Sequence, residues 1–104
     1  MVFNSYQFTD IAKEDIDSTI KYISETLHNP VAAKDLLYKI VNEINYICIY
    51  PESFQIVDNK YIKYKNVRRR IIDNYSLYYI FDKDKEIITF IRFISISRKI
   101  NSIL

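Results

Sequence analysis

Apolar residues recur at helical spacing in the first half of the chain and at alternating spacing in the second. Tyr6-Gln7-Phe8 alternates and predicts a short opening strand. Ala12, Ile16, Ile20, Ile23 and Leu27 then lie three or four positions apart, which makes one apolar stripe on a helix. Thr9 or Asp10 is placed to cap it, and Glu14, Asp15 and Asp17 fall in its first turns, where the helix dipole favours negative charge. His28-Asn29-Pro30 ends this helix, because a residue before proline is pushed out of the α region. The same tripeptide opens a second helix, with Asn29 as its cap and Pro30 at its first position. Ala33, Leu36, Leu37, Ile40, Val41, Ile44 and Ile47 form its stripe, and Pro51 marks its end. Two such helices predict an antiparallel hairpin with facing apolar stripes.

Beyond Pro51 the period becomes two. The stretch 61–64 reads as a weak strand or loop, and Val67–Ile72 as a basic strand. Tyr75–Asp82 sets Leu77, Tyr79 and Phe81 against Tyr78 and Ile80. A turn at Asp82–Lys85 leads into a long strand over Glu86–Ser97, with Ile88, Phe90, Ile94 and Ile96 on one face and Ile87, Ile91 and Phe93 on the other. Helices first and strands after predict an α+β domain of β-α-α-β-β-β order. In it, a short strand and a helix hairpin pack on an antiparallel C-terminal sheet.

The 104 residues suit a single domain, and with 49% hydrophobic residues a packed core is expected. Glycine is absent, so no Gly-rich phosphate loop or dinucleotide fingerprint is possible. Positions needing positive φ must then fall to Asn or Asp. The single cysteine, Cys48, excludes an intramolecular disulfide and a multi-cysteine zinc site, and it reads as a small buried hydrophobe. The acids lack metal-ligand spacing, so neither a metal nor another cofactor is expected. No signal peptide or membrane-spanning stretch is visible, so the expected setting is cytoplasmic, with no membrane partner.

Net charge is only +2, yet residues 1–52 carry four basic and eight acidic side chains, and residues 53–104 eleven basic and five acidic. A one-signed field over part of the surface favours a polyanion or an acidic protein, and a solvated sheet face is the plain alternative.

Several local motifs resemble the ParE/RelE toxins of bacterial type II toxin–antitoxin systems. Phe8, Ala12, Asp15-Ile16, Ile20, Tyr22-Ile23 and Leu27 resemble the family's first helix. Asn29-Pro30, Ala32-Ala33, Leu36-Leu37, Ile40, Ile44 and Pro51 resemble its second helix and exit. Arg68, Asn74-Tyr75, Tyr79, Ile91-Arg92-Phe93-Ile94 and Arg98-Lys99 follow in order. The resemblance implies a growth-arresting toxin held by a cognate antitoxin, in a heterotetramer or larger assembly. Its target is DNA gyrase in ParE-like members, or mRNA on the ribosome in RelE-like ones. An inactive member that still binds antitoxin is a further alternative.

Ribonuclease chemistry would need an acid, a base and cations facing the developing phosphorane charge. The resemblance then points to Arg68, Arg92 and Arg98 as catalytic candidates. Arg70, Lys63, Lys65 and Lys99 join them as a binding set. Strand parity puts Arg68 and Arg70 on one face and Arg69 on the other, while Arg92, flanked by apolar residues, either opens into a groove or pairs with a carboxylate. Two departures favour the gyrase-directed branch. Ser76 stands where RelE-like enzymes usually carry Arg, and nothing after Lys99 titrates usefully.

Overall fold

The computed structural model describes residues 3–57 and 63–98. Lys99, the C-terminal tail and part of the weak 61–64 segment lie outside them. The elements are β1 (Ser5–Phe8), α1 (Asp10–Lys21), α2 (Pro30–Ile49), β2 (Arg68–Ile72), β3 (Tyr75–Asp82) and β4 (Ile87–Ser95). They form one four-stranded sheet in the order β1-β4-β3-β2. The three C-terminal strands are antiparallel, and β1 joins the far edge parallel to β4, with Tyr6 opposite Ile88 and Phe8 opposite Phe90. The expected β-α-α-β-β-β architecture is present.

Both helix starts are built as the sequence predicts. Thr9 caps α1 by accepting from the Ala12 N–H at 3.1 Å, and Asn29 caps α2 by accepting from the Ala32 N–H at 3.1 Å, with Pro30 in the first turn. The end of α1 differs. A single π-helical turn, Tyr22–Thr26, closes it, and the Leu27 N–H donates to Tyr22 O. The wider turn breaks the 3.6-residue stripe, so Leu27 is exposed instead of buried.

Leu36, Ile40, Ile44, Ile47 and Cys48 of α2 pack on Ile72, Leu77, Tyr79, Ile88, Phe90 and Phe93 of the sheet. Leu37 and Val41, also on the predicted stripe, remain on the surface. Burial pushes the Cys48 thiol up from its ordinary value, which suits a packing residue rather than a nucleophile. The far face of the sheet holds a smaller cluster of Val67, Tyr78, Ile91 and Ile94.

One feature of β4 overturns the simple two-face reading. Tyr78 lies opposite Arg92 but Tyr79 lies opposite Phe90, so Ile91 is an extra residue in a bulge. One extra residue inverts the alternation after it. The helix-facing set is therefore Ile88, Phe90 and Phe93, while Ile94 shares the far face with Ile91.

Without glycine, positive φ falls on Asn66 and Asp73, as expected, but also on His28 and Glu86. His28 turns the chain between the helices, and Glu86 leads into β4, where its carbonyl accepts from the Ser5 N–H. A non-glycine residue in this region costs roughly 1 kcal/mol, which the surrounding packing must offset.

Tyr79, fully buried, donates from its hydroxyl to Pro51 O at 2.8 Å and so ties the exit of α2 to the central strand. Tyr79→Phe strands that carbonyl and should lower the unfolding free energy in urea by about 1–3 kcal/mol. Burial also pushes the Tyr79 phenol up to about 12, so the fold favours its neutral form. That contribution is intact below the ordinary phenol value near ~10 and is lost as pH rises from there through the raised value. Stability measured across this alkaline range should fall less steeply in the Phe variant.

Candidate functional site

The edge of β4 changes neighbours halfway along. β1 stops opposite Phe90, and α1 takes over the edge from there. The Thr9 N–H donates to Phe90 O at 3.0 Å, and the Thr9 hydroxyl donates to Ile91 O at 3.1 Å. One turn and a half further on, Asp15 meets the same edge. Its Oδ2 accepts from the Phe93 N–H at 3.0 Å and from Arg92 Nε at 2.7 Å, while Oδ1 accepts from Arg92 Nη2 at 3.0 Å. Arg92 is only 8% exposed. This forked pairing is the strong geometry for Arg and carboxylate, and removal from water makes it intolerant of losing either member. Of the two outcomes open to Arg92, the carboxylate pair is the one formed.

Arg68 and Arg70 share the helix-facing side of β2, as parity predicts. Arg70 pairs with Glu43 of α2 through Nε–Oε2 at 2.7 Å and Nη2–Oε1 at 3.2 Å, and its guanidinium lies 4.5 Å from the centre of the Phe54 ring. The hydrogen bond to Glu43 holds the Arg70 guanidinium above its ordinary value. Arg68 Nη1 donates to Phe54 O at 2.7 Å and Glu52 O at 3.2 Å. Ile56 bridges to Arg68, and the Val57 N–H donates to Val67 O, so the loop after α2 lies along the outer edge of β2. Arg68 and Arg70 therefore bind this loop and α2.

Arg98, Lys63 and Lys65 are exposed and make no ion pair with another described residue. Lys63 and Lys65 precede β2, whereas Arg98 sits beyond the end of β4, so the structure does not gather them. Arg98 lines a surface cavity of about 290 Å³ between α1 and the β3–β4 end of the sheet. The hydroxyl-bearing residues Ser18, Thr19, Tyr22, Tyr75 and Ser95 also line it, as does Asp15.

Ser76, the departure noted in the sequence, is 1% exposed and lies opposite Ile94. Its hydroxyl has no hydrogen-bond partner. The position is a closed part of the far face. Among the described residues, no group of three or more His, Cys, Asp or Glu is placed to hold a metal ion.

Over residues 6–100 the sequence matches the family described as the ParE toxin of the parDE type II toxin–antitoxin system. The chain belongs to this ParE toxin family. The toxin's fold is similar to that in the chromosomal ParDE toxin–antitoxin system of P. aeruginosa. That match has a TM-score of 0.69 at 15% identity and covers 93% of this chain and all of the other. It is also similar to a chain of the RelBE2 toxin–antitoxin complex of Mycobacterium tuberculosis, with a TM-score of 0.61 at 14% identity, covering 90% and 99% of the two chains. A metal-bound toxin from Helicobacter pylori matches with a TM-score of 0.58 at 17% identity, covering 90% and 96%. No curated protein matches the sequence.

Two residues that organise the toxin's arginines, Asp15 and Glu43, escaped the sequence reading. In the sequence Asp15 reads as an acid favoured by the helix dipole, and Glu43 only as one of the eight acids of the first half. The only long-range signal was the excess of acid in one half of the chain and of base in the other. Asp15→Ala leaves the Arg92 guanidinium buried without its carboxylate and releases the Phe93 N–H. It should destabilise the toxin by about 3–5 kcal/mol in chemical denaturation. A loss under 1 kcal/mol would mean that the pair does not hold α1 to the sheet.

Proposed function

We propose that this toxin arrests growth by binding DNA gyrase, as ParE-like members do, and not by cutting mRNA on the ribosome. The pairing of Arg92 with Asp15 carries the reading. A ribonuclease needs guanidinium groups aimed at substrate, with donors free to meet charge as it develops. Arg92 faces Asp15, Arg70 faces Glu43, and Arg68 holds two loop carbonyls. Of the three catalytic candidates, Arg98 alone faces solvent without an ion-pair partner among the described residues. Binding to a protein target needs a shaped surface and no acid–base set, and that is compatible with this distribution.

The cognate antitoxin is the second partner in this reading. Ile16 and Ile20 of α1 and Leu37, Tyr38 and Val41 of α2 line successive shallow depressions on the outside of the hairpin, joined at Leu37. Such a trough suits the apolar face of an amphipathic segment. We place both partnerships in the cytoplasm. Among the described residues, no helix is long and apolar enough to cross a membrane.

Purified toxin should be incubated with gyrase and relaxed plasmid, and in parallel with ribosomes programmed with mRNA. The expected result is inhibited supercoiling or trapped cleaved DNA, with the message intact. Cleaved message with normal supercoiling overturns the proposal and returns Arg98 to a catalytic role.

A further inference from the structure

The cavity beside Arg98 has a composition that neither the fold nor the trough explains. The main chain that carries its cation is held in place. The Arg98 N–H donates to Ser95 O at 3.1 Å, and the Ile96 N–H donates to Asn74 O at 2.9 Å, which pins the turn against the β2–β3 hairpin. Its floor is rigid, because Tyr75 stacks on Phe93 with ring centres 5.0 Å apart and planes 17° from parallel. Some wall hydroxyls are already engaged: Thr19 donates to Asp15 O, and Ser95 shares a hydrogen bond with Ser97. Those of Ser18, Tyr22 and Tyr75 make no such bond with the described residues. The one carboxylate among the lining residues, Asp15, is matched by Arg92 and does not cancel the charge of Arg98.

We infer that this cavity is a receptor for a carboxylate side chain on an acidic peptide segment of a protein partner, with Arg98 as its ligand and the tyrosine hydroxyls as further donors. One guanidinium with neighbouring hydroxyls matches one carboxylate in charge and donor number. The Tyr75–Phe93 floor matches the methylene stem that carries it. A nucleic-acid strand asks for something else, a track of cations following successive phosphates. Among the described residues, no such track leads away from Arg98. Arg70 and Arg92 are paired, and Lys63 and Lys65 stand at the start of β2. The inference rests on the reading of the toxin as a protein-binding inhibitor, but it concerns a different contact from gyrase inhibition.

The test is an NMR titration of the full chain with an acetylated, amidated hexapeptide of alternating Leu and Glu. The same peptide with Gln for Glu, and uridine monophosphate, serve as comparisons. The Glu peptide should shift the signals of Ser18, Tyr22, Ser95 and Arg98 saturably and bind at least about tenfold more tightly than the Gln peptide. It should weaken as salt rises from about 50 to about 500 mM. Arg98→Gln, an exposed substitution whose remaining spectrum reports folding, should remove the response, and Arg98→Lys should keep part of it. Equal binding of the two peptides, or an unchanged response in folded Arg98→Gln, overturns the inference. Tighter binding of uridine monophosphate than of the Glu peptide also overturns it and assigns the cavity to a nucleic-acid phosphate. Peptide binding without gyrase inhibition would count against the proposed target alone.

Discussion

Asp15 does in one place what two structural elements would otherwise have to do. β1 covers the edge of β4 only as far as Phe90, and beyond it the strand would present unpaired backbone to water or to a partner chain. The Asp15 carboxylate takes the Phe93 N–H and both donors of the Arg92 fork, so α1 finishes the sheet edge with a side chain. The Ile91 bulge sits immediately before this contact and resets the alternation that follows. With that reset, Phe93 faces the helices and stacks on Tyr75, and Ile94 turns to the far face. Helix position, sheet edge and core register therefore share one junction.

The uneven charge of the chain has its first use inside the fold. Asp15–Arg92, Glu43–Arg70, Lys39–Asp73 and Glu52–Lys83 each join a residue of the first half to one of the second. They differ in worth. Lys39–Asp73 and Lys83–Glu52 are solvent-exposed, and such pairs contribute little. The Arg92 pair is nearly out of water, and the Arg70 pair is backed by Phe54. What remains for a partner is a smaller set of cations than the sequence displays, and it includes Arg98, which lines the cavity beside Asp15.

Local physics was legible in the sequence, and long-range geometry was not. Caps at Thr9 and Asn29, the proline at the start of α2 and the alternation in β3 depend on neighbours within a few positions, so they read correctly. The parallel pairing of β1 with β4 spans some eighty residues and leaves no local trace. The π turn at Tyr22–Thr26 and the bulge at Ile91 each add one residue to a period, and no residue type there announces it. The same limit held for the site. An arginine amid apolar residues in β4 was visible as unusual, but the acid that answers it lies on α1. The burial of Ser76, by contrast, gives a physical basis to a departure that was visible as a single letter.

Most arginines of the sheet hold this toxin's scaffold together. The most direct measurement is growth arrest and folding of the double variant Asp15→Leu with Arg92→Met, which replaces the buried pair with apolar volume. Removing both charges together leaves no stranded ion, and the Phe93 N–H left without its acceptor should cost only about 1–3 kcal/mol. If Arg92 is scaffold, the variant is folded and still arrests growth when induced. A folded variant that no longer arrests growth would show that Arg92 acts on the target, contradicting this account of the toxin.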